Sequence, residues 1–156
     1  MKTIVIFYSL DGGTKEAAEI IAKELDADTL QLDTIKSLPN GKMKIFTGGG
    51  QVCLGICPKL KDYSFSPDDY DRIILGTPIW AGKHAPAIRT FLKSFKAAEK
   101  VTAVFTSSGS GNNEGCINAL KKQLPGIKHT VSLVDKTCPC AENNSEKLQA
   151  FINELK

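Results

Sequence analysis

The chain has 156 residues, 42% of them hydrophobic and 24% charged, and these proportions are those of a soluble globular protein able to bury its own core. A net charge of +3 on scattered lysines argues against a nucleic-acid or membrane surface, and no apolar run approaches the roughly 18–20 residues of a membrane span. The first apolar stretch is short and lacks a small-residue cleavage site, so no signal peptide is expected.

In chain order, Ile4-Val5-Ile6-Phe7 is a short continuous apolar run and reads as a buried strand. Thr14–Leu25 follows, with Ala17, Ala18, Ile21 and Leu25 on one helical face. Thr29–Asp33 alternates, and Arg72–Gly76 (R-I-I-L-G) is a second continuous run. Pro86–Phe95 carries Ile88, Phe91, Leu92 and Phe95 at i, i+3, i+4 and i+7. Val101–Phe105 is strand-like, Glu114–Leu124 sets Ile117, Leu120 and Leu124 on one helical side, and Thr130–Val134 is the last strand. Leu148, Phe151, Ile152 and Leu155 close the chain with another helical stripe. Strands alternating with helices predict a five-stranded parallel sheet with helices on both faces, in a single domain spanning 1–156. Residues 34–71 are too long for a simple connection. Met43, Ile45, Phe46, Val52, Leu54 and Ile56 suit a packed helix there, weakened at Gly48-Gly49-Gly50.

The five cysteines are Cys53, Cys57, Cys116, Cys138 and Cys140. An odd count without a secretory signal points to a reducing cytoplasm. Neither Cys53-x-x-x-Cys57 nor Cys138-Pro139-Cys140 has the two-residue gap usual in zinc sites, so no metal is expected. They read as ordinary thiols, with Cys138 and Cys140 an oxidisable pair.

Ligands of open parallel sheets sit beyond the carboxyl ends of the strands, where the strand order reverses. Three segments at those ends are rich in glycine and hydroxyls: Ser9–Thr14 (S-L-D-G-G-T), Thr77–His84 (T-P-I-W-A-G-K-H) and Ser107–Gly115 (S-S-G-S-G-N-N-E-G). The first runs into a helix N-terminus, whose unpaired N–H groups and dipole favour an anion. Ser9 and Thr14 offer hydroxyls, and Gly12-Gly13 lets the chain fold around a guest. The lysine-bearing P-loop pattern is absent, so phosphate here is expected to be held by neutral hydrogen bonds. Trp80, the only tryptophan, offers a stacking face at a strand end.

These motifs resemble the flavodoxin family, whose first loop wraps the phosphate of FMN with a T/S-x-T-G-x-T pattern. The matching string is Ser9-Leu10-Asp11-Gly12-Gly13-Thr14, and the likeness continues in Gly76–Gly82 (G-T-P-I-W-A-G) and in the third loop. It is closest to small bacterial flavodoxin-like proteins with S-L-[D/E]-G-x-T in the first loop. The resemblance implies a three-layer sandwich with strand order 2-1-3-4-5 and FMN as cofactor. It assigns cofactor binding to Ser9, Leu10, Asp11, Gly12, Gly13 and Thr14 in the first loop. To these it adds Thr77, Pro78, Ile79, Trp80, Ala81 and Gly82 in the second, and Ser107, Ser108, Gly109, Ser110 and Gly111 in the third. In detail it implies Thr77 bonding the pyrimidine or ribityl side, and Ala81 and Gly82 presenting backbone to the flavin edge. The N–H groups of Gly109, Ser110 and Gly111 would surround the far end of the ring. Asp11 stands where the family commonly has a phosphate-binding threonine, and Gly13 where asparagine is frequent. A carboxylate about 5 Å from a phosphate dianion would cost several kcal/mol at an effective dielectric near 20, so the Asp11 side chain is expected to turn aside.

No acid–base–nucleophile constellation stands out, and no catalytic residue is named; in a flavoprotein the cofactor carries the chemistry. Residues 107–115 hold no second aromatic to cover the flavin, and Lys83 and His84, if close, would raise its potential. Both lean towards an FMN-dependent NAD(P)H oxidoreductase acting on a small acceptor such as a quinone. Electron transfer with a redox partner protein is the other reading, and the chain is expected to be a monomer or homodimer. His84 reads as a surface residue or a substrate contact. A receiver domain would need an aspartate where Gly76-Thr77 ends the third strand, and a small phosphatase a cysteine within Ser9–Thr14. The remaining alternative is a flavin-free binding module that keeps the fold.

Overall fold

The computed structural model describes residues 1–36, 50–136, 138, 141 and 143–156. β1 (Thr3–Phe7) leads to α1 (Gly13–Leu25) and β2 (Asp28–Gln31), and then come β3 (Arg72–Trp80), the two-residue β4 (Lys83–His84) and α2 (Pro86–Ser94). β5 (Val101–Ser108), α3 (Glu114–Gln123), β6 (His129–Val134) and α4 (Asn144–Leu155) complete the order. The strands lie β2-β1-β3-β5-β6, all neighbours parallel, with β4 antiparallel on β3. With β4 set aside, this is the expected 2-1-3-4-5 sheet.

Successive side chains of a strand face opposite sides, so a run that is apolar at every position must be covered twice. Ile4, Ile6, Ile73, Leu75 and Val104 pack against Ala87, Ile88, Phe91 and Leu92 of α2 and Cys116 and Leu120 of α3. Val5, Phe7, Ile74, Ala103 and Phe105 pack on the other face against Ala17, Ala18 and Ile21 of α1 and Leu148, Phe151 and Ile152 of α4. Most residues of the helical stripes read from the sequence are buried in these two cores, with Leu25 and Phe95 half-buried at their edges.

The central strands run further than their apolar cores suggest. β3 continues from Gly76 through Thr77-Pro78-Ile79-Trp80, and β5 from Phe105 through Thr106-Ser107-Ser108. Proline is disfavoured inside a central strand because it cannot donate to the ladder. Here β1 makes its last pair with β3 at Phe7–Gly76, so Pro78 lies beyond the reach of β1 and keeps only its β5 neighbour, Ser107.

In the long connection, residues 50–53 are helical. Val52 is buried at 1% exposure, whereas Leu54 and Ile56 are exposed at 78% and 41%, so the apolar face expected there stops at Val52. Met43, Ile45, Phe46, Gly48 and Gly49 lie outside the described residues. Arg89 of α2 donates to the Val52 carbonyl at 3.5 Å and the Thr90 hydroxyl to that of Pro58 at 2.8 Å, tying the segment to the helix. Cys138 is disulfide-bonded, while Cys53, Cys57 and Cys116 are free thiols. Among the described residues no helix is long and apolar enough to cross a membrane.

Candidate functional site

The chain leaves β1 on one side to form β2 and returns on the other to form β3, so the strand order reverses at β1. The loops after β1, β3 and β5 meet at the carboxyl ends beside this reversal, where the backbone leaves a cleft between connections that turn opposite ways. A cavity of about 60 Å³ lies there, lined by Ser9, Leu10, Asp11, Gly13 and Thr14 from the first loop. Pro78, Ile79 and Trp80 line it from β3, and Ser107 and Ser108 from β5. Its volume suits a phosphate-sized group rather than a ring system.

The first loop is organised around one hydroxyl. Ser9 Oγ accepts the backbone N–H groups of Gly12 and Lys15, each at 3.2 Å. Lys15 lies in the first turn of α1 and Gly12 just before it, where no preceding helical carbonyl is available to either donor. Gly12, the residue before the helix, has φ 91°, a left-handed conformation that suits glycine and bends the loop back on itself. Among the described residues these donors go to the Ser9 hydroxyl, a neutral group with which an arriving anionic oxygen would compete. Thr14 is placed differently from expectation. It is buried, and its hydroxyl shares a hydrogen bond with Ser107 Oγ at 2.9 Å, joining α1 to β5 and forming the cleft floor.

The second segment is a hairpin rather than a loop. Ile79 pairs with His84 and Trp80 with Lys83, leaving Ala81 and Gly82 as a two-residue turn with φ 48° and 74°. Positive φ at both central positions is the turn geometry that matches strand twist. Thr77 is fully buried; its hydroxyl accepts the Ala85 N–H at 3.1 Å and donates to the Pro78 carbonyl at 2.9 Å. In this position Thr77 clamps the base of the hairpin. Trp80 is half-buried and meets Tyr8 edge-to-face, with ring centroids 5.8 Å apart and planes at 83°. The Tyr8 hydroxyl is held above its ordinary pKa, first by burial and then by the fields of Asp33 and Asp11.

In the third loop Gly109 and Ser110 are exposed, but the Gly111 N–H is already given to Ser108 Oγ at 2.9 Å. Of the three amides expected to face a ring, that one serves the loop itself. Sequence reasoning missed Asp135, which follows β6 and also lines the cleft. Burial, then the field of Asp11, raises its pKa. Asp11 is exposed and lines the same cleft. The only available signal for Asp135 was its place one residue beyond an apolar strand end. The cleft thus offers backbone donors on one wall and two carboxylates around its rim.

His84 is half-buried rather than freely exposed. Burial, followed by the fields of Arg89 and Lys83, lowers its pKa from 6.5 to about 4. The Cys116 thiol bonds to the His84 backbone, yet burial still pushes it up to about 11, which leaves it unreactive. Because the folded pKa of His84 lies below the unfolded one, the unfolded chain binds more protons between pH 4 and 6.5. Its contribution to stability is complete above pH 6.5 and is lost as pH falls towards 4. The full shift corresponds to about 3 kcal/mol, which residual solvent access cuts to roughly 1–2 kcal/mol. The unfolding free energy from urea titration is expected to fall across this range by roughly 1–2 kcal/mol more for the wild type than for His84→Gln; parallel pH profiles would refute the assignment.

Residues 55–153 match the family model described as Flavodoxin. A provisionally named flavoprotein of Bacteroides uniformis superposes with TM-score 0.77 at 24% identity, covering 94% of this chain and 98% of its own. The flavoprotein of Lactobacillus acidophilus in complex with FMN gives 0.66 at 20% identity, with 94% and 97% covered. Oxidised Flavodoxin 2 of Bacillus cereus gives 0.62 at 18% identity, with 98% and 96% covered. At these identities the structures share the fold, and the family match extends over more than half of the chain. With the reversed strand order and the helix-capped first loop already in place, the chain belongs to the flavodoxin family.

Proposed function

We propose that this protein binds FMN at the carboxyl ends of β1, β3 and β5 and uses it in redox chemistry. The carrying observation is the convergence of the Gly12 and Lys15 N–H groups on Ser9 Oγ at the start of α1. That is the donor arrangement a phosphate monoester needs, and the small cavity beside it has matching size. Family membership supports the same reading, as does the fold shared with the FMN complex of the Lactobacillus acidophilus protein.

When bound, the flavin supplies hydride and single-electron transfer. The chain's part is binding, orientation and shielding. Ser9, Gly12 and Lys15 hold the phosphate, Thr14 and Ser107 fix the cleft floor, and Trp80 on its clamped hairpin offers a stacking wall. Leu10, Gly13, Pro78, Ile79 and Ser108 line the space between. Ala81, Gly82, Gly109 and Ser110 form the outer rim. His84 is uncharged above about pH 4, so the electrostatic case for a raised potential rests on Lys83 alone. The lack of an aromatic in residues 107–115 still favours reduction of a small acceptor at the expense of NAD(P)H over exchange with a partner protein. Fast bleaching by NADH or NADPH in stopped flow would support the reductase; reduction by a partner protein alone would support the carrier.

Asp11 and Asp135 favour one alternative, a flavin-free binding module, because two carboxylates oppose a dianion. Titration separates the readings. FMN is expected to bind at micromolar concentration or below, with riboflavin at least about tenfold weaker. Asp11→Asn/Asp135→Asn is expected to tighten FMN by about tenfold, each charge being partly screened by water, and to leave riboflavin unaffected. Colourless protein that takes up no FMN, even with both charges removed, would sink the proposal.

A further inference from the structure

Trp80 also lines a second and much larger cavity, of about 440 Å³, in which no residue of the Ser9 loop takes part. Its walls are mainly apolar, with Tyr8 and Trp80 forming a right-angled aromatic corner and Ile56 and Pro58 closing the far side. Lys36 and Lys59 complete the lining. Their backbones are held close by a short antiparallel contact. The Ile35 N–H donates to the Lys59 carbonyl at 2.9 Å, the Lys61 N–H to that of Asp33 at 2.8 Å, and Thr34 bridges Leu60. Pro58 is pinned to α2 through Thr90. Among the described residues neither Lys36 nor Lys59 has an ion-pair partner. Asp33, whose field reaches Tyr8, is itself paired with Lys61 at 3.5 Å.

We propose that this cavity is a binding site for a small planar aromatic carboxylate, its ring in the Tyr8–Trp80 corner and its charge at Lys36 and Lys59. The volume falls within the range of small-molecule sites, and apolar walls with a few polar groups are their usual chemistry. An aromatic corner selects a flat guest, because offset and edge contacts both become available to one ring. Two unpaired ammonium groups at one wall select against a neutral guest and for an anion. Occupation of this site does not require the flavin, yet a guest here would touch the same indole that we assign as the flavin's wall.

The test uses that indole. As the only tryptophan, Trp80 contributes the single indole signal in a proton–nitrogen correlation spectrum of labelled full-length protein. Naphthoate is expected to shift this signal progressively and to bind at least about tenfold more tightly than naphthylmethanol, its neutral counterpart. In Lys36→Gln/Lys59→Gln, two exposed replacements that leave the core untouched, the carboxylate should fall to the affinity of the alcohol while FMN affinity stays the same. An indole signal unmoved by millimolar naphthoate would overturn the proposal. So would equal affinity for acid and alcohol, or a preference that survives the double substitution. Titration with FMN on the same samples reports separately on the flavin cleft, so a failure at either site is recognised as its own.

Discussion

Alanine at Gly76 is expected to cost the fold about 3–4 kcal/mol, read as a lowered urea midpoint at unchanged slope. Gly76 sits in the middle of the sheet, paired with Phe7 on one side and Phe105 on the other. The Phe105 ring lies across it. A Cβ at Gly76 would fall 2.1 Å from Phe105 Cζ and within 2.7 Å of both Cε atoms. Phe105 is fully buried and cannot swing into solvent, so either the ring leaves its rotamer or the two strands separate. Phe105→Leu by itself removes ring volume and should cost several kcal/mol less when combined with Gly76→Ala than the two single losses predict. Strict additivity of the two, or a cost below about 1 kcal/mol for Gly76→Ala, would show that the ring relaxes freely.

Thr77→Val is expected to cost about 2 kcal/mol despite keeping the shape of the side chain, because it strands a buried donor. The Ala85 N–H has Thr77 Oγ1 as its acceptor, in a place where both residues are wholly buried. This bond crosses the base of the β3–β4 hairpin that carries Trp80. The same substitution should therefore weaken FMN binding through a looser wall, with no contact to the cofactor itself. Thr77→Ser keeps the hydroxyl and loses one methyl, so it should cost about 1 kcal/mol and leave FMN affinity unchanged. Equal effects of Val and Ser on affinity would mean that volume, not the hydrogen bond, holds the hairpin.

Helices were the most legible elements, because an amphipathic stripe repeats within a few residues and needs no distant partner to be seen. Ile88, Phe91 and Leu92, and again Leu148, Phe151 and Ile152, were placed on the buried faces that they occupy. The carboxyl halves of β3 and β5 were harder. Thr77-Pro78 and Thr106-Ser107 look like loop, and they become strand only because the β3–β5 pairing continues past the point where β1 stops. Around the cleft, Ser9, Gly13, Thr14 and Trp80 had stood out from composition at the strand ends. Asp135 was not legible, being a single carboxylate in an otherwise plain connection. Nor was His84, whose lowered pKa depends on burial and on the fields of Arg89 and Lys83.

By itself the order of apolar runs and stripes determined a parallel sheet covered on both faces, since each run had to be buried twice and each stripe once. The glycines and hydroxyls at the strand ends likewise marked the rim at which the cleft opens. Only the tertiary structure decided which polar groups remain available there. Thr14, Thr77 and Gly111 spend their hydrogen bonds on partners supplied by the folded chain: Ser107, 93 residues away, for Thr14, and the nearer Ala85 and Ser108 for the other two. A hydroxyl or amide announces its capacity locally, but whether that capacity is already used depends on what the fold brings within 3 Å of it.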